Sequence, residues 1–359
     1  MKNVIPAVSV IIPVYNAAAW LGQCLSSIEA QNFDDYEIIC INDGSTNASS
    51  TILQEYAEKN RRITVINQKN TGPGTARNKG ICVARGKYIA FIDADDWIAP
   101  DFFKILFSAA EDTKAALISF NSCMTDGEQF IKNIVYFNLP DKTVGTAKML
   151  KTKIFDAAFH STHFLYRTDF IKSNRLLFPA EIFFCEDVLF VLKALLLAPK
   201  ICFLQKFLYY YRQHSSSLVA TKDSRKINLL KIFPAIEKII TVSPLVFDLM
   251  PRFRKWKVDM LSCLYSQLDA SCKHLLYEYA KKNLTPEELN ELYQNIKRDN
   301  TCLVHCFWLP LFSVEKTKNN YLVKLFGKLV IGSLRIKNTL KELKIYWWHI
   351  PLLHIKKMR

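Results

Sequence analysis

The sequence predicts an α/β protein: a Rossmann-like mixed sheet over residues 1–222, followed by a mainly helical extension. Three observations lead there. Apolar strand-like runs alternate with helical spacing from the start, polar residues gather where those strands end, and beyond residue 222 helical spacing takes over. With 359 residues, 50% of them hydrophobic and 13% aromatic, the chain has ample material for a core, which excludes a disordered class.

Taken in order, "VSVII" (8–12) is a short all-apolar strand and "AAAWLGQCLSSIEAQ" (17–31) carries helical spacing. "YEIICIND" (36–43) and "SSTILQEYAEKN" (49–60) repeat the pair. "RITVINQ" (62–68), a helix from about Thr75 to Ala84, and "KYIAFID" (87–93) continue it. Strands apolar throughout and separated by helices form a parallel sheet covered on both faces, and such sheets bind ligands beyond their carboxyl ends. Strand one stops at Pro13, Tyr15 and Asn16; strand two at Asn42, Asp43, Gly44 and Ser45. "NTGPGTARNKG" (70–80) follows strand three, and Asp93, Asp95 and Asp96 follow strand four. Four loops should line one crevice.

Residues 115–220 mix strands ("AALISFN", "ICFLQKFLYYYR") with a helix from about Asp187 to Ala198, an α+β half that completes the same domain. From 223 to 300 the pattern is helical, with Pro234, Pro244 and Pro251 as breaks. Near the end, "WLPLFSVEK" (308–316) returns loosely as "HIPLLHIKK" (349–357), two similar docking segments and too few for a solenoid.

The ten cysteines contain no CxxC pair, as expected of reduced thiols in a cytosolic protein. Cys302, His305 and Cys306 read as packing rather than a zinc site, since a lone Cys-x3-Cys has no second pair. No export signal opens the chain, and no run reaches the roughly 18 uncharged apolar residues that span a bilayer.

The formal net charge is +15, yet "FIDADDWIAP" (91–100) places three aspartates in four positions after a buried strand. Carboxylates are hard ligands suited to Mg2+ or Mn2+, ions that take one or two from a protein and leave the rest of their shell to phosphate and water. Of Asp93 and Asp95, one can hold the ion while the other bonds the ribose of the same ligand. The competing reading, Asp96 as a helix cap, accounts for one aspartate and not three.

"VSVIIPVYN", "IICINDGSTN", "NTGPGTARNKG" and "YIAFIDADDW", in this order and spacing, resemble the nucleotide-binding half of the family 2 inverting glycosyltransferases, which have the GT-A fold. The resemblance is strong over residues 6–105 and looser over 106–220. It implies that Pro13 and Tyr15, with Asn16, lie against a uracil ring, and that Asp43 accepts a hydrogen bond from the base. It implies that Arg77 faces the anionic ligand, that Asp93 contacts the ribose, and that Asp95 holds a divalent Mn2+ or Mg2+ ion on the diphosphate, with Asp93 beside it. "FFCEDVLF" (183–190) resembles the family's acidic pair ahead of a helix, with Asp187 as general base and Glu186 shaping the acceptor site. "YYYRQHSSSL" (209–218) resembles a loop that closes over the diphosphate, where Arg212 or His214 would touch phosphate or metal. His160 and His163 read as packing or acceptor-pocket residues.

From Tyr321 to Arg359 nine Lys or Arg face one acid, Glu342, and Phe326, Tyr346, Trp347 and Trp348 are interleaved. Such a tail (residues 301–359) suits an anionic membrane surface better than nucleic acid, for which no motif accompanies it. Together these readings imply an inverting hexosyltransferase using a nucleotide sugar donor, most simply a UDP-sugar, and a lipid-linked or oligosaccharide acceptor of lipopolysaccharide, capsule or another surface glycan. It would work in the cytoplasm, peripheral on the inner face of the cytoplasmic membrane. The alternative is an inactive sugar-nucleotide-binding scaffold. A dinucleotide-dependent dehydrogenase is set aside because the first turn, "PVYNAAAW", lacks the glycines that fold needs.

Overall fold

The computed structural model describes residues 5–155, 159–217 and 224–298, together with the backbone of strands between 312 and 356. Strands and helices alternate as β1 (Val8–Val14), α1 (Leu21–Glu29), β2 (Tyr36–Asp43), α2 (Ser49–Lys59), β3 (Ile63–Gln68), α3 (Pro73–Val83) and β4 (Tyr88–Phe91). The second half runs β5 (Trp97–Ile98), α4 (Phe102–Thr113), β6 (Leu117–Thr125), β7 (Phe130–Ile134), β8 (Thr143–Gly145), α5 (Ala147–Leu150), β9 (Phe164–Arg167), α6 (Thr168–Ser173), α7 (Glu186–Leu197) and β10 (Ile201–Arg212).

These strands form one ten-stranded mixed sheet ordered β3-β2-β1-β4-β9-β6-β10-β5, with β7 on β6 and β8 on β10. The β1–β4 strands are mutually parallel, and β9 enters antiparallel between β4 and β6. Because β1, β2 and β4 are covered on both faces, almost every residue in them is buried, and this is why they lack the alternation of a one-sided sheet. The order reverses around β1, so the crevice for a ligand opens beyond the ends of β1 and β4.

Two boundaries differ from the expectation. β1 continues through Pro13 to Val14, because β4 pairs with it only as far as Ile11 and the proline lies past the last β4 partner. Helix α3 starts at Pro73, whose fixed φ suits a first helical position, and ends at Val83. It lies against the sheet so closely that a Cβ at Gly80 would run into the Ile11 side chain.

An aromatic group seats α7 on the sheet. Phe178 and Phe190 stack at 4.0 Å, and Phe91 meets both, and Tyr166, edge-on at 5.3 to 5.7 Å. Burying each such ring contributes about 1.5–3 kcal/mol. The first residues of α7 are thereby fixed beside the end of β4.

The chain divides into two compact units, Met1–Thr221 with Asn228–Phe253, and Lys222–Ile227 with Arg254–Arg359. Helices α8 (Ile232–Thr241), α9 (Val246–Gln267), α10 (Ala270–Asn283) and α11 (Pro286–Arg298) carry the helical stretch. Beyond it the described backbone is strand: Phe312–Lys316, Tyr321–Leu325 and Leu329–Val330 pair antiparallel, as do Ile336–Thr339, Glu342–Trp347 and Ile350–Lys356. The described residues of the loose repeat, 312–316 and 350–356, fall on strands. Cys302, His305 and Cys306 lie outside the described residues. No described helix is long and apolar enough to cross a membrane.

Candidate active site

The loops beyond β1 and β2 are tied together. Asn16, at φ 51°, donates its N–H to Ser45 Oγ (3.1 Å), and its Oδ1 accepts from the N–H of Thr46 (2.8 Å). Asp43 is buried: Oδ1 accepts from Gln68 Nε2 (2.8 Å) and the Thr71 N–H (2.9 Å), and Oδ2 from the Gly72 N–H (2.9 Å). Both side chains therefore shape the loops, Asp43 fixing the entry to α3. Pro13 is half-buried next to them, and Tyr15 stands 51% exposed, an open aromatic face at the rim.

Arg77 lies one turn inside α3, not in its first turn. It is buried, and its Nη1 meets Glu186 Oε1 at 2.7 Å and Asp187 Oδ1 at 3.4 Å, while Nη2 meets Asp93 Oδ1 at 2.7 Å. Arg77, expected to face an anionic ligand, has its two terminal nitrogens engaged by three carboxylates, the partners a guanidinium this deep needs. Burial alone would favour its neutral form, but Asp187, Asp93 and Glu186 hold it firmly cationic. Gly74 makes room for the arrangement, since a Cβ there would stand 3.2 Å from Glu186 Cγ.

The three aspartates after β4 have three separate environments. Asp93 accepts from Arg77, and burial still raises its carboxyl, with Arg77 pulling the other way and Asp95 and Asp187 adding to the rise. Asp96 is wholly buried and no cap: Oδ2 accepts from the Tyr209 hydroxyl (2.7 Å) and Oδ1 from the Arg212 N–H (2.8 Å). Burial, then Asp95 and Asp93, push it well above the carboxylate range. Asp95 is about a third exposed, and only its Oδ2 is engaged, by His214 Nε2 at 2.9 Å.

His214 lies tilted against Trp20, ring centroids 4.0 Å apart, and pairs its Nδ1 with Ser216 Oγ (2.9 Å). Arg212 donates Nε to the Asp95 carbonyl (2.8 Å), lies over Trp97, and bonds Gln23. The end of β10 and the loop after it thus reach the acidic turn, through Arg212 and His214 respectively.

A divalent ion fits this donor set. Among the described residues Asp95 has one oxygen without a hydrogen-bond partner, beside the His214 imidazole and close to Asp93. No group of three or more acidic, His or Cys side chains stands ready to enclose an ion among the described residues. Such a site would leave most positions to phosphate and water, as Mg2+ and Mn2+ prefer.

At the start of α7, burial and then Asp187 push the Glu186 carboxyl up to about 7, against the pull of Arg77. Asp187 is 15% exposed, and both its oxygens are bound by Ser161. Sequence reasoning missed Ser161, Tyr209, Trp20 and Gln23. Tyr209 lay in the "YYYR" run and Trp20 and Gln23 in "AAAWLGQCLSSIEAQ", stretches read for their periodicity, while Ser161 lay in none. His160 and His163 pack with Tyr136 and Tyr211, His163 Nε2 bonding Tyr136 Oη at 2.8 Å, and burial lowers both imidazoles.

A family model, Glycosyl transferase family 2, matches residues 9–173. The chain is 38% identical over 220 residues to the putative glycosyltransferase EpsH of Bacillus subtilis, covering 60% of this chain and 63% of that protein. It is 31% identical over 252 residues to the uncharacterized glycosyltransferase YibD of Escherichia coli, covering 67% and 72%. The match thus spans a little under two thirds of EpsH and more of YibD. Among solved structures, Staphylococcus aureus TarS 1–349 in complex with UDP superposes with a TM-score of 0.60 at 18% identity, covering 89% of this chain and 96% of that one. TarS by name is a poly(ribitol-phosphate) beta-N-acetylglucosaminyltransferase. The fold is GT-A, and the motifs, the family model and these relatives agree that the chain belongs to glycosyltransferase family 2.

Proposed function

We propose that this chain is an inverting glycosyltransferase that moves a hexose or N-acetylhexosamine from a UDP-sugar to a hydroxyl of a lipid-linked glycan acceptor. Its setting would be bacterial lipopolysaccharide, capsule or exopolysaccharide synthesis. One observation carries the reading. Arg77 bridges Asp93, on the turn that holds Asp95, to Asp187 at the start of α7, so the acidic turn and the α7 carboxylate are held at the two ends of one guanidinium. The crystal of TarS with UDP supports the choice of nucleotide.

In this scheme Tyr15 offers its exposed ring to the base and Asp93 turns its free oxygen toward the ribose. Asp95, with Asp93 and His214 beside it, would hold Mn2+ or Mg2+, which when bound neutralises charge on the diphosphate. Asp187 accepts the proton of the acceptor hydroxyl as that oxygen attacks the anomeric carbon, and the bond to the diphosphate breaks with its electron pair leaving on phosphate. Attack from the face opposite the leaving group, in one displacement, inverts the stereocentre. Arg77 keeps its three carboxylates in place throughout. The basic, aromatic tail would hold the enzyme on the inner face of the cytoplasmic membrane, where lipid-linked acceptors lie.

The test is transfer, or UDP release, from a panel of UDP-sugars with Mn2+. Asp187→Asn and Asp95→Asn should each lower the rate by about 100-fold or more, in the range that positioned acid–base groups supply. Variants that transfer as fast as the parent would overturn the assignment.

A further inference from the structure

The segment before β9 has no part in the scheme above, yet it holds its central carboxylate. Ser161 donates its backbone N–H to Asp187 Oδ2 (3.1 Å) and its hydroxyl to Asp187 Oδ1 (3.0 Å), so one residue binds both oxygens. Ser161 is fully buried, and its carbonyl accepts from the Tyr166 hydroxyl (3.0 Å) on β9, a strand paired on both sides within the sheet. The clamp is therefore anchored to an interior strand of the sheet.

We propose that Ser161 is a positioning residue for Asp187: its two-point grip fixes the carboxylate plane, so that the lone pair left over points at the incoming acceptor hydroxyl. The proposal rests on Asp187 being the base. A free Asp side chain at a helix start would rotate about χ2, a broad torsion, whereas two donors from one rigid turn leave it a single orientation. Holding the reacting atoms in line in this way is worth orders of magnitude in rate when the alignment is good.

Arg77 from α3 also reaches Asp187 Oδ1, at 3.4 Å, and Glu186 precedes it on α7. The hydroxyl of Ser161 is neutral, so its removal leaves these charged groups in place.

Two variants of the full chain test this. Ser161→Ala removes the hydroxyl; Ser161→Cys fills the same space with a weak donor. Both should lower kcat about tenfold and leave KM for the UDP-sugar unchanged, because only the carboxylate loses its alignment. A packing role predicts instead that Cys restores the parent's rate, and that result overturns the proposal. Thermal protection by UDP with Mn2+ verifies that each variant is folded. Asp187→Asn is measured alongside: if it retains activity, the base assignment fails and the clamp with it, whereas an inactive Asp187→Asn beside a Ser161→Ala variant as fast as the parent refutes the clamp alone.

Discussion

Arg77 sits among Asp93, Glu186 and Asp187, whereas Asp95 and Asp96, on the same turn as Asp93, are held from β10 by His214, Tyr209 and the Arg212 backbone. The first group is an internal salt cluster: three carboxylates share one buried guanidinium, and the excess negative charge shows as raised Asp93 and Glu186 carboxyls. The second also has a buried cation, but the Arg212 guanidinium bonds the Asp95 carbonyl and Gln23 rather than a carboxylate. Asp96 is satisfied by neutral donors, and Asp95 is left half-engaged and open. Compensated charge gives a fixed framework, while uncompensated charge at the crevice gives a place for a cation.

Removing the cation from the first group is the largest break. Arg77→Met keeps the apolar stem and strands three carboxylates around a space without positive charge. Loss of one partner of a buried pair typically costs about 3–5 kcal/mol, and here three acids lose theirs. Denaturant unfolding should show at least that loss at pH 8, and a smaller one near pH 4.5, where the acids protonate. A variant as stable as the parent at pH 8 would mean that the cluster is not held by Arg77.

The second break sharpens the electrostatics of the first group. Glu186 is pushed up to about 7 in the folded chain, above its usual value near 4.5. A carboxyl raised on folding keeps a proton that the unfolded chain has already released, so stability falls as pH rises from about 4.5 to about 7 and is level beyond. Glu186→Gln cannot titrate, and its stability should lack that decline. The difference between the two chains across the window should be about 1–3 kcal/mol. Parallel pH profiles would show that Arg77 and not burial sets the Glu186 charge.

The four loops of the crevice were legible because each follows a strand-like run with an apolar centre, and the three-aspartate turn because charge in a buried context needs a reason. Within those loops the sequence did not reveal what each polar group would bind. Asp43 and Asn16 bond their neighbouring loops, and Arg77 turns inward, because its partners Glu186 and Asp187 lie 109 and 110 positions further along the chain. Pairings at that separation leave no periodic trace. Ser161 was equally hidden: a lone serine between two histidines carries no pattern, and only the sheet brings it to Asp187.

The smallest effect tests the second group. The buried Tyr209 hydroxyl donates to Asp96 Oδ2 and accepts the Asp93 N–H at 3.1 Å, so it joins both ends of the acidic turn to β10. Tyr209→Phe keeps the ring in the core and deletes only that link, leaving one buried carboxylate oxygen and one N–H without their partner. An orphaned group of this kind costs about 1–3 kcal/mol. Part of that loss should be avoided by protonation, because Asp96 already lies well above the carboxylate range and loses a donor that favoured its ionised form. The variant should therefore be closest to the parent in stability at low pH and furthest at high pH, the same direction as Arg77→Met but smaller. Since the turn also carries Asp95, Mn2+ titrated against UDP-dependent thermal protection should be required at several-fold higher concentration. An unchanged Mn2+ requirement together with the full stability loss would show that Asp95 is oriented by His214 alone, and that the two groups of carboxylates are independent of each other.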